Sequence, residues 1–493
     1  HKNVSVSWAF NGVESKKVDW KTLYNKIAPR VAEAQKNKDK LAFYRAIRDY
    51  TLAIPDGHTG MGDDGTLANQ DFLERVDYGF GFGIRELDNG KVIVVYVKPD
   101  SAAEKAGMKV GAEIKDFNGQ PIKEAIGKVE PYSGPFSLES TKRYQQARYL
   151  LRSKANGEAT VTFLNLPTDA PKTIKLAAFK ERDSFAFTSV TRGVTPSVLP
   201  VDFKTLDSGA GYIKVYSNSD DLNLILRLFE RALKTFKADG VESLIIDLRD
   251  NGGGSPLDLA GFFHDKVIIL GQQQYFNEKT GKFETRGPAG KIRPKATQYK
   301  FDQLAVLVSS RCASACEIEA YGFSKIPGVM IVGIVPTAGV EADVLRGQFR
   351  LPEKISLQIP TDRLVNPDGS LFLEGVGVVP TIKVPVDEKV ALSAEDVVLK
   401  AAENAVLGKP TSGGGASGSG PTFASAADSK KALGTVKTLE DVAKEKYKDN
   451  ELSQAGKTYT YSISATSAQS LMWITGWCAT TQAILDDNNK NTT

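Results

Sequence analysis

The sequence predicts an α/β protein made of several units, and three observations carry that expectation. From residue 209 to 335, strand-length apolar runs alternate with helical stretches: "AGYIKVYS", "DDLNLILRLFERALKTFKA", "SLIIDLR", "LAVLVSS", a helix from residue 313, then "VMIVGIV". Such alternation calls for β-α-β crossovers around a buried sheet. Residues 78 to 126 have a different texture, short strands split by Gly, Asn and Asp. The length of 493 residues also exceeds what one core serves, giving a prior of roughly three domains.

The elements follow in order. Residues 18–53 carry apolar side chains at helical spacing and predict two or three short helices, ended by the turn "IPDGHTG". "YGFGFGI", "KVIVVYV" and "EIKDFNGQPI" read as strands; the helix "STKRYQQARYLLRSK" and the strands "EATVTFLN" and "TIKLAAF" close this region near residue 180. In the alternating region, a Gly-rich turn and a further helix are expected between "SLIIDLR" and "LAVLVSS". "PTSGGGASGSGPT" reads as a flexible Gly/Ser linker. Beyond it lies a small appended unit in which Trp473 and Trp477 share a helix face.

Bulk composition excludes several functions. A net charge of +4, from 63 basic and 59 acidic residues, with lysines scattered, implies no nucleic-acid partner. The apolar runs fall short of the ~18–20 residues that cross a bilayer, so no integral membrane segment is expected. The chain begins with His1 rather than Met, which predicts a processed product whose secretory signal has been removed. Three cysteines do not make a disulfide framework.

Chemistry concentrates in "VLVSSRCASACEIEAYGF", residues 306–323. Ser314 falls where a buried strand turns into a helix, near unpaired N–H groups that stabilise a developing oxyanion. A plain N-cap serine fits the same position. Cys312 and Cys316, read as i and i+4 of a helix, point poorly for a bridge and are expected to be small packing residues. A serine nucleophile needs a base. Of the three histidines, His1 is terminal, His264 adjoins aromatics, and His58 in "PDGHTG" lies on a Gly-flanked turn. In "IIDLRDNGGGSP" a strand runs into three glycines, whose backbone can approach a ligand closely.

Together these pieces resemble the C-terminal processing (tail-specific) serine peptidases of family S41. "GYIKV", a long helix, "LIIDLRDNGGG", "VLVSSRCASACEIEA", "IVG" and "FLEGVGVVPTIKV" occur in that family's order. "GFGFGI" followed by "VKPDSAAEKAGMKVGAEIKDFNGQPI" resembles its PDZ domain, with Ala112 where aspartate is usual. The resemblance implies a crotonase-like βαβ sandwich core at 182–408, a helical N-terminal segment at 1–75 carrying His58, and an inserted PDZ-like domain at 76–181. A linker at 409–429 and a small C-terminal α+β domain at 430–493 complete the expected organisation.

Many members pair serine with a lysine about 25 residues later. Here "GIVPTAGVEADVLRG" stands in that place, with no lysine between Lys325 and Lys354. The sequence is closer to the branch resembling the tricorn core and the chlamydial protease-like factor, which implies Ser314, His58 and Glu374 as catalytic residues. Gly253 and Ala315 are the implied oxyanion-hole donors, and Glu317 a supporting residue or a solvated helix position. "PTAG", 336–339, is expected to line the cleft. Gly79, Phe80, Gly81, Phe82, Gly83 and Ile84 would present N–H groups to a peptide's terminal carboxylate. The implied function is a serine endopeptidase acting outside the cytoplasm on unfolded or tail segments, with no cofactor or metal, and compatible with a homo-oligomer. The alternative is a non-catalytic binding or adaptor protein on the same scaffold.

Overall fold

A six-stranded sheet runs through the stretch that holds Ser314. Its order is Val201–Thr205, Gly211–Val215, Ser243–Asp247, Gln303–Leu307, Met330–Gly333 and Ile382–Lys383; the first pair is antiparallel and the rest are parallel. The computed structural model describes residues 1–192, 199–277 and 279–408. The linker, the C-terminal unit and the two tryptophans singled out above therefore lie outside the described residues. The described residues belong to one compact unit.

The sheet is buried on both faces, as parallel sheets require. Leu244 and Ile246 face a cluster with Phe229, Leu233 and Phe236 of the helix Leu222–Ala238. Ile245 faces the other side, with Ala305, Leu307 and the helix Val397–Val406. The long helix forms because its apolar side chains Ile225, Phe229, Leu233 and Phe236 fall on one stripe. Asp221 starts it by accepting from the N–H groups of Asn223 and Leu224.

The antiparallel sheet Phe82–Glu86, Val92–Val97, Glu113–Phe117, Glu158–Leu164, Lys172–Ala177 encloses a separate core with the helix Glu139–Leu150. At the N-terminus the expected helices are two, Trp20–Asn37 and Lys40–Leu52, each capped by an aspartate, Asp19 and Asp39. They lead to the strand Gly60–Gly62, which pairs with Ser356–Gln358 and so carries the His58 turn back to the core.

One expected element is absent. After the Gly-rich turn the chain makes only the short 3-10 turn Leu259–Phe262, then the strands Ile268–Ile269, Gln272–Asn277, Lys282–Thr285 and Lys291–Ile292. Pro256 lacks an N–H and Asp258 takes a left-handed conformation (φ 57°), so a regular helix cannot propagate through this stretch.

Candidate active site

Ser314 sits at the turn between the strand Gln303–Leu307 and the helix Ala315–Ser324, with φ 56° and ψ −128°. A non-glycine residue there costs on the order of 1–3 kcal/mol and persists only where its surroundings hold it. The restraints are visible. The Ser314 N–H donates to Val340 O (3.0 Å), Glu317 N–H donates to Ser314 O (2.7 Å), and Ala313 N–H donates to Asn251 O (3.3 Å). Although Ser314 occupies the N-cap position, its side chain makes no capping bond. That leaves the hydroxyl uncommitted to the helix.

Cys312 and Cys316 form a disulfide across this turn, contrary to the packing role expected for them. The helix begins at Ala315, so Cys312 precedes it and the pair does not have the i, i+4 helical geometry assumed for it. The two Cα atoms are 5.3 Å apart, inside the range a disulfide spans. In denaturant without reductant, a thiol titration is therefore expected to find at most one of the chain's three cysteines free. Three free thiols would remove the bridge.

The Gly-rich turn packs directly under the serine. A Cβ on Gly253 (φ 97°) would fall 2.5 Å from Ala313 O and 2.9 Å from Ser314 Cβ, so only glycine fits. Its N–H donates to the Oδ1 of buried Asn251 (2.9 Å). The spacing of the glycines foretold close approach but not this internal partner. Ala315, as the first residue of its helix, has an N–H outside the intrahelical ladder.

His58 is buried, and among the described residues neither ring nitrogen has a hydrogen-bond partner. Its backbone is fixed. The N–H donates to Asp56 Oδ1 (2.8 Å), and its carbonyl accepts from Gln358 Nε2 (3.0 Å). Asp56 in turn accepts from Trp8 Nε1 (3.0 Å) and Thr59 Oγ1 (2.8 Å). Burial pushes the imidazole down to about 4, so it is a neutral base at pH 7. Polar atoms of Asp56, His58 and Glu374 all lie within 4.8 Å of one another. Val340 joins this group to the serine: its O accepts from Ser314 N–H, and its Cγ2 would be 2.6 Å from a Cβ on Gly57.

Glu374 is gripped by side chains with no signal in the sequence. Oε1 accepts from Ser137 Oγ and pairs with Lys16 Nζ, both at 2.6 Å, and Oε2 accepts from Glu341 N–H (2.9 Å). Ser137 Oγ also receives the Gly57 N–H (2.9 Å), bracing the His58 turn. Burial pushes the Glu374 carboxyl up to about 7, against the pull of Lys16.

Residues 209–384 match Peptidase family S41. The chain carries an S41 peptidase domain. A 178-residue stretch is 29% identical to the carboxyl-terminal-processing peptidase 2, chloroplastic, of Arabidopsis thaliana, covering 36% of this chain and 32% of that protein. The match thus spans about a third of the relative's length. Mature CPAF shares the fold, with a TM-score of 0.53 at 14% identity over 83% of this chain and 96% of that one. Mature CPAF complexed with lactacystin gives the same TM-score and identity, over 83% and 97% of the two chains.

Within the S41 domain, Glu317 is fully buried, which excludes the solvated helix position. It accepts from Gly339 N–H (2.9 Å), Val340 N–H (2.7 Å) and Thr337 Oγ1 (2.5 Å). Burial pushes it up to about 8 while these three donors pull it down. Its position makes it the anchor of the 337–340 segment, and so of the carbonyl that fixes Ser314. Of "PTAG", Thr337 is completely buried, Ala338 and Gly339 are buried as well, and Pro336 is half-buried.

Asp56, His58 and Glu374 are close enough to hold a metal ion. The oxygens of both carboxylates already accept N–H or O–H donors, and Glu374 has an ammonium on it, an arrangement suited to holding protons and charge instead. The "GFGFGI" residues lie apart from this group. Gly79 abuts the buried Arg152–Glu181 pair, Phe80 and Phe82 enter the core of the antiparallel sheet, and Gly81 O accepts from Lys98 N–H (2.7 Å). Ile84 is buried in the same core, and Gly83 packs on Ser184 O and Thr188 Cγ2.

The lowered His58 makes a stability prediction. The unfolded chain takes up this proton near pH 6.5, the folded one only near 4. Stability from this residue is thus complete above 6.5 and is lost as pH falls towards 4. Urea unfolding is expected to show the wild type losing roughly 3 kcal/mol relative to His58→Gln across that window. A pH-independent difference would contradict the neutral, buried imidazole.

Proposed function

We propose that the protein is a serine endopeptidase that hydrolyses peptide bonds in unfolded or tail segments of other polypeptides, using Ser314, His58 and Glu374. One observation carries this reading: a buried histidine with both ring nitrogens unpartnered stands beside a buried carboxylate, on a turn that Val340 connects to a strained, uncapped serine. A carrier needs none of these features together.

Ser314 Oγ attacks the scissile carbonyl as His58 takes its proton; the same proton then passes to the leaving amine. Glu374 stabilises the imidazolium formed in between. The Ala315 N–H and the helix N-terminus behind it receive the oxyanion. Water repeats the sequence on the acyl-enzyme and frees Ser314. The PDZ-like sheet delivers or gates the substrate. The protein acts in an extracytoplasmic compartment, a reading supported by the Cys312–Cys316 disulfide, since such bonds persist under oxidising conditions. Among the described residues no helix is long and apolar enough to cross a membrane.

The test is digestion of unfolded casein by the wild type and by Ser314→Ala, with fluorophosphonate labelling of both. Cleavage and labelling present in the first and lost in the second support the peptidase. Equal behaviour of the two proteins assigns the scaffold to binding or adaptor work instead.

A further inference from the structure

Among the described residues, the cation that pairs with the candidate catalytic carboxylate comes from outside the matched residues 209–384. Lys16 ends the short turn Glu14–Lys16, and its side chain is only 6% exposed. The ammonium pairs with Glu374 Oε1 (2.6 Å), donates to Pro55 O (2.9 Å) and lies 5.0 Å from the centre of the Phe10 ring. Phe10 itself is fully buried with Trp8 and Ile54. The N-terminal segment is thus folded so as to drive one lysine into the site, and that lysine touches the carboxylate rather than the imidazole.

We propose that Lys16 is a positioning residue of this site: its ammonium holds Glu374 in place as an anion, ready to receive the imidazolium of His58. This rests on the peptidase reading given above and extends it to the N-terminal segment. The need for such a cation follows from the charges around Glu374. Asp56 and His58 approach from the 55–59 turn, Glu317 from the nucleophile helix, and Glu341 from the segment after "PTAG"; Asp343 faces His58. Apart from the histidine, every one of these is acidic. A carboxyl buried among carboxyls takes up a proton unless a cation opposes it. Burial already lifts Glu374 to about 7, with Lys16 the main opposing influence. With the lysine neutralised, Glu374 would be a neutral acid near pH 7, and the imidazolium would lack its counter-charge. Ser137 Oγ and the Glu341 N–H orient Glu374 but bring no net charge, so they cannot substitute.

The experiment reads the carboxylate directly. Protein labelled with 13C-glutamate in a Ser314→Ala background is titrated by NMR, with Glu374 assigned through its loss in Glu374→Gln. Lys16→Met is expected to raise the Glu374 midpoint by about one pH unit or more, and Lys16→Arg to restore it. In the active background, the acid limb of kcat/KM moves up with it, giving about a tenfold loss near pH 6 that disappears by about pH 9, with KM unchanged. An unmoved midpoint in folded Lys16→Met overturns the proposal. So does a Lys16→Arg protein that titrates away from the parent, an arm that decides the matter even where the methionine variant fails to fold. A loss of activity equal at every pH, rescued by neither arginine nor alkali, makes Lys16 merely structural and also overturns it. If the wild type hydrolyses nothing, the peptidase reading falls while the titration still decides the role of Lys16.

Discussion

Ser314→Ala is expected to lower kcat by roughly a million-fold, leaving KM and thermal stability close to those of the wild type. The size follows from the role: without the hydroxyl no acyl-enzyme forms, and what remains comes from binding and oxyanion stabilisation alone. The fold should survive, because the turn is held by backbone bonds to Val340 and Glu317 and by the Cys312–Cys316 bridge, none of which uses the Ser314 side chain. Alanine also keeps the Cβ in its present surroundings, so the strain at φ 56° is unchanged. Steady-state kinetics on an unfolded protein or a fluorogenic peptide checks it. A variant retaining more than about a hundredth of the activity would place the nucleophile elsewhere.

The second large effect is that of His58→Ala, expected to cost on the order of 10^4- to 10^6-fold in kcat. His58 is the described imidazole beside Glu374, and its neutral form at pH 7 is the form a base requires. In the proposed mechanism hydroxyl and imidazole act as one unit, so the losses should not add. His58→Ala in the Ser314→Ala background is expected to change the residual rate by less than about tenfold. Fully additive losses would mean that the two side chains act independently. The sign of the pH dependence is fixed as well. The proposed mechanism needs His58 without its proton and Glu374 without its own, so activity is expected to fall as pH drops. The carboxyl, raised to about 7, governs that fall before the imidazole at about 4 does.

What the sequence revealed depended on how locally each feature was encoded. The central sheet was legible because "LII" (244–246) and "LAVLV" (304–308) are unbroken apolar runs, as strands buried on both faces tend to be. The His58 turn was legible from Pro, Asp and Gly in succession. The disulfide was missed because Cys312 and Cys316 were given helical i, i+4 geometry, although Cys312 precedes the helix Ala315–Ser324 and its side chain is not set by it. Glu317 was ambiguous because a helix buried all round gives no amphipathic pattern to place it, and most residues from Ala315 to Phe323 are buried. The stretch after the glycines was read as helix on its composition, while Pro256 and the left-handed Asp258 set its conformation.

Lys16 and Ser137 could not have been found this way. Each meets Glu374 only through tertiary folding, and neither lies in a motif of its own. The same holds for Asn251, whose side chain claims the Gly253 N–H. The resemblance to the S41 peptidases pointed to the hydroxyl, imidazole and carboxylate; the cation, the bracing hydroxyl and the Asn251 partner of Gly253 come from distant packing.

The most direct measurement is the site and rate of covalent capture by a fluorophosphonate, mapped by tandem mass spectrometry. A single adduct on Ser314 is expected, forming at least about a thousand times more slowly in His58→Ala. An adduct on another residue, or a labelling rate indifferent to His58, would contradict the assignment of these two side chains to one catalytic unit.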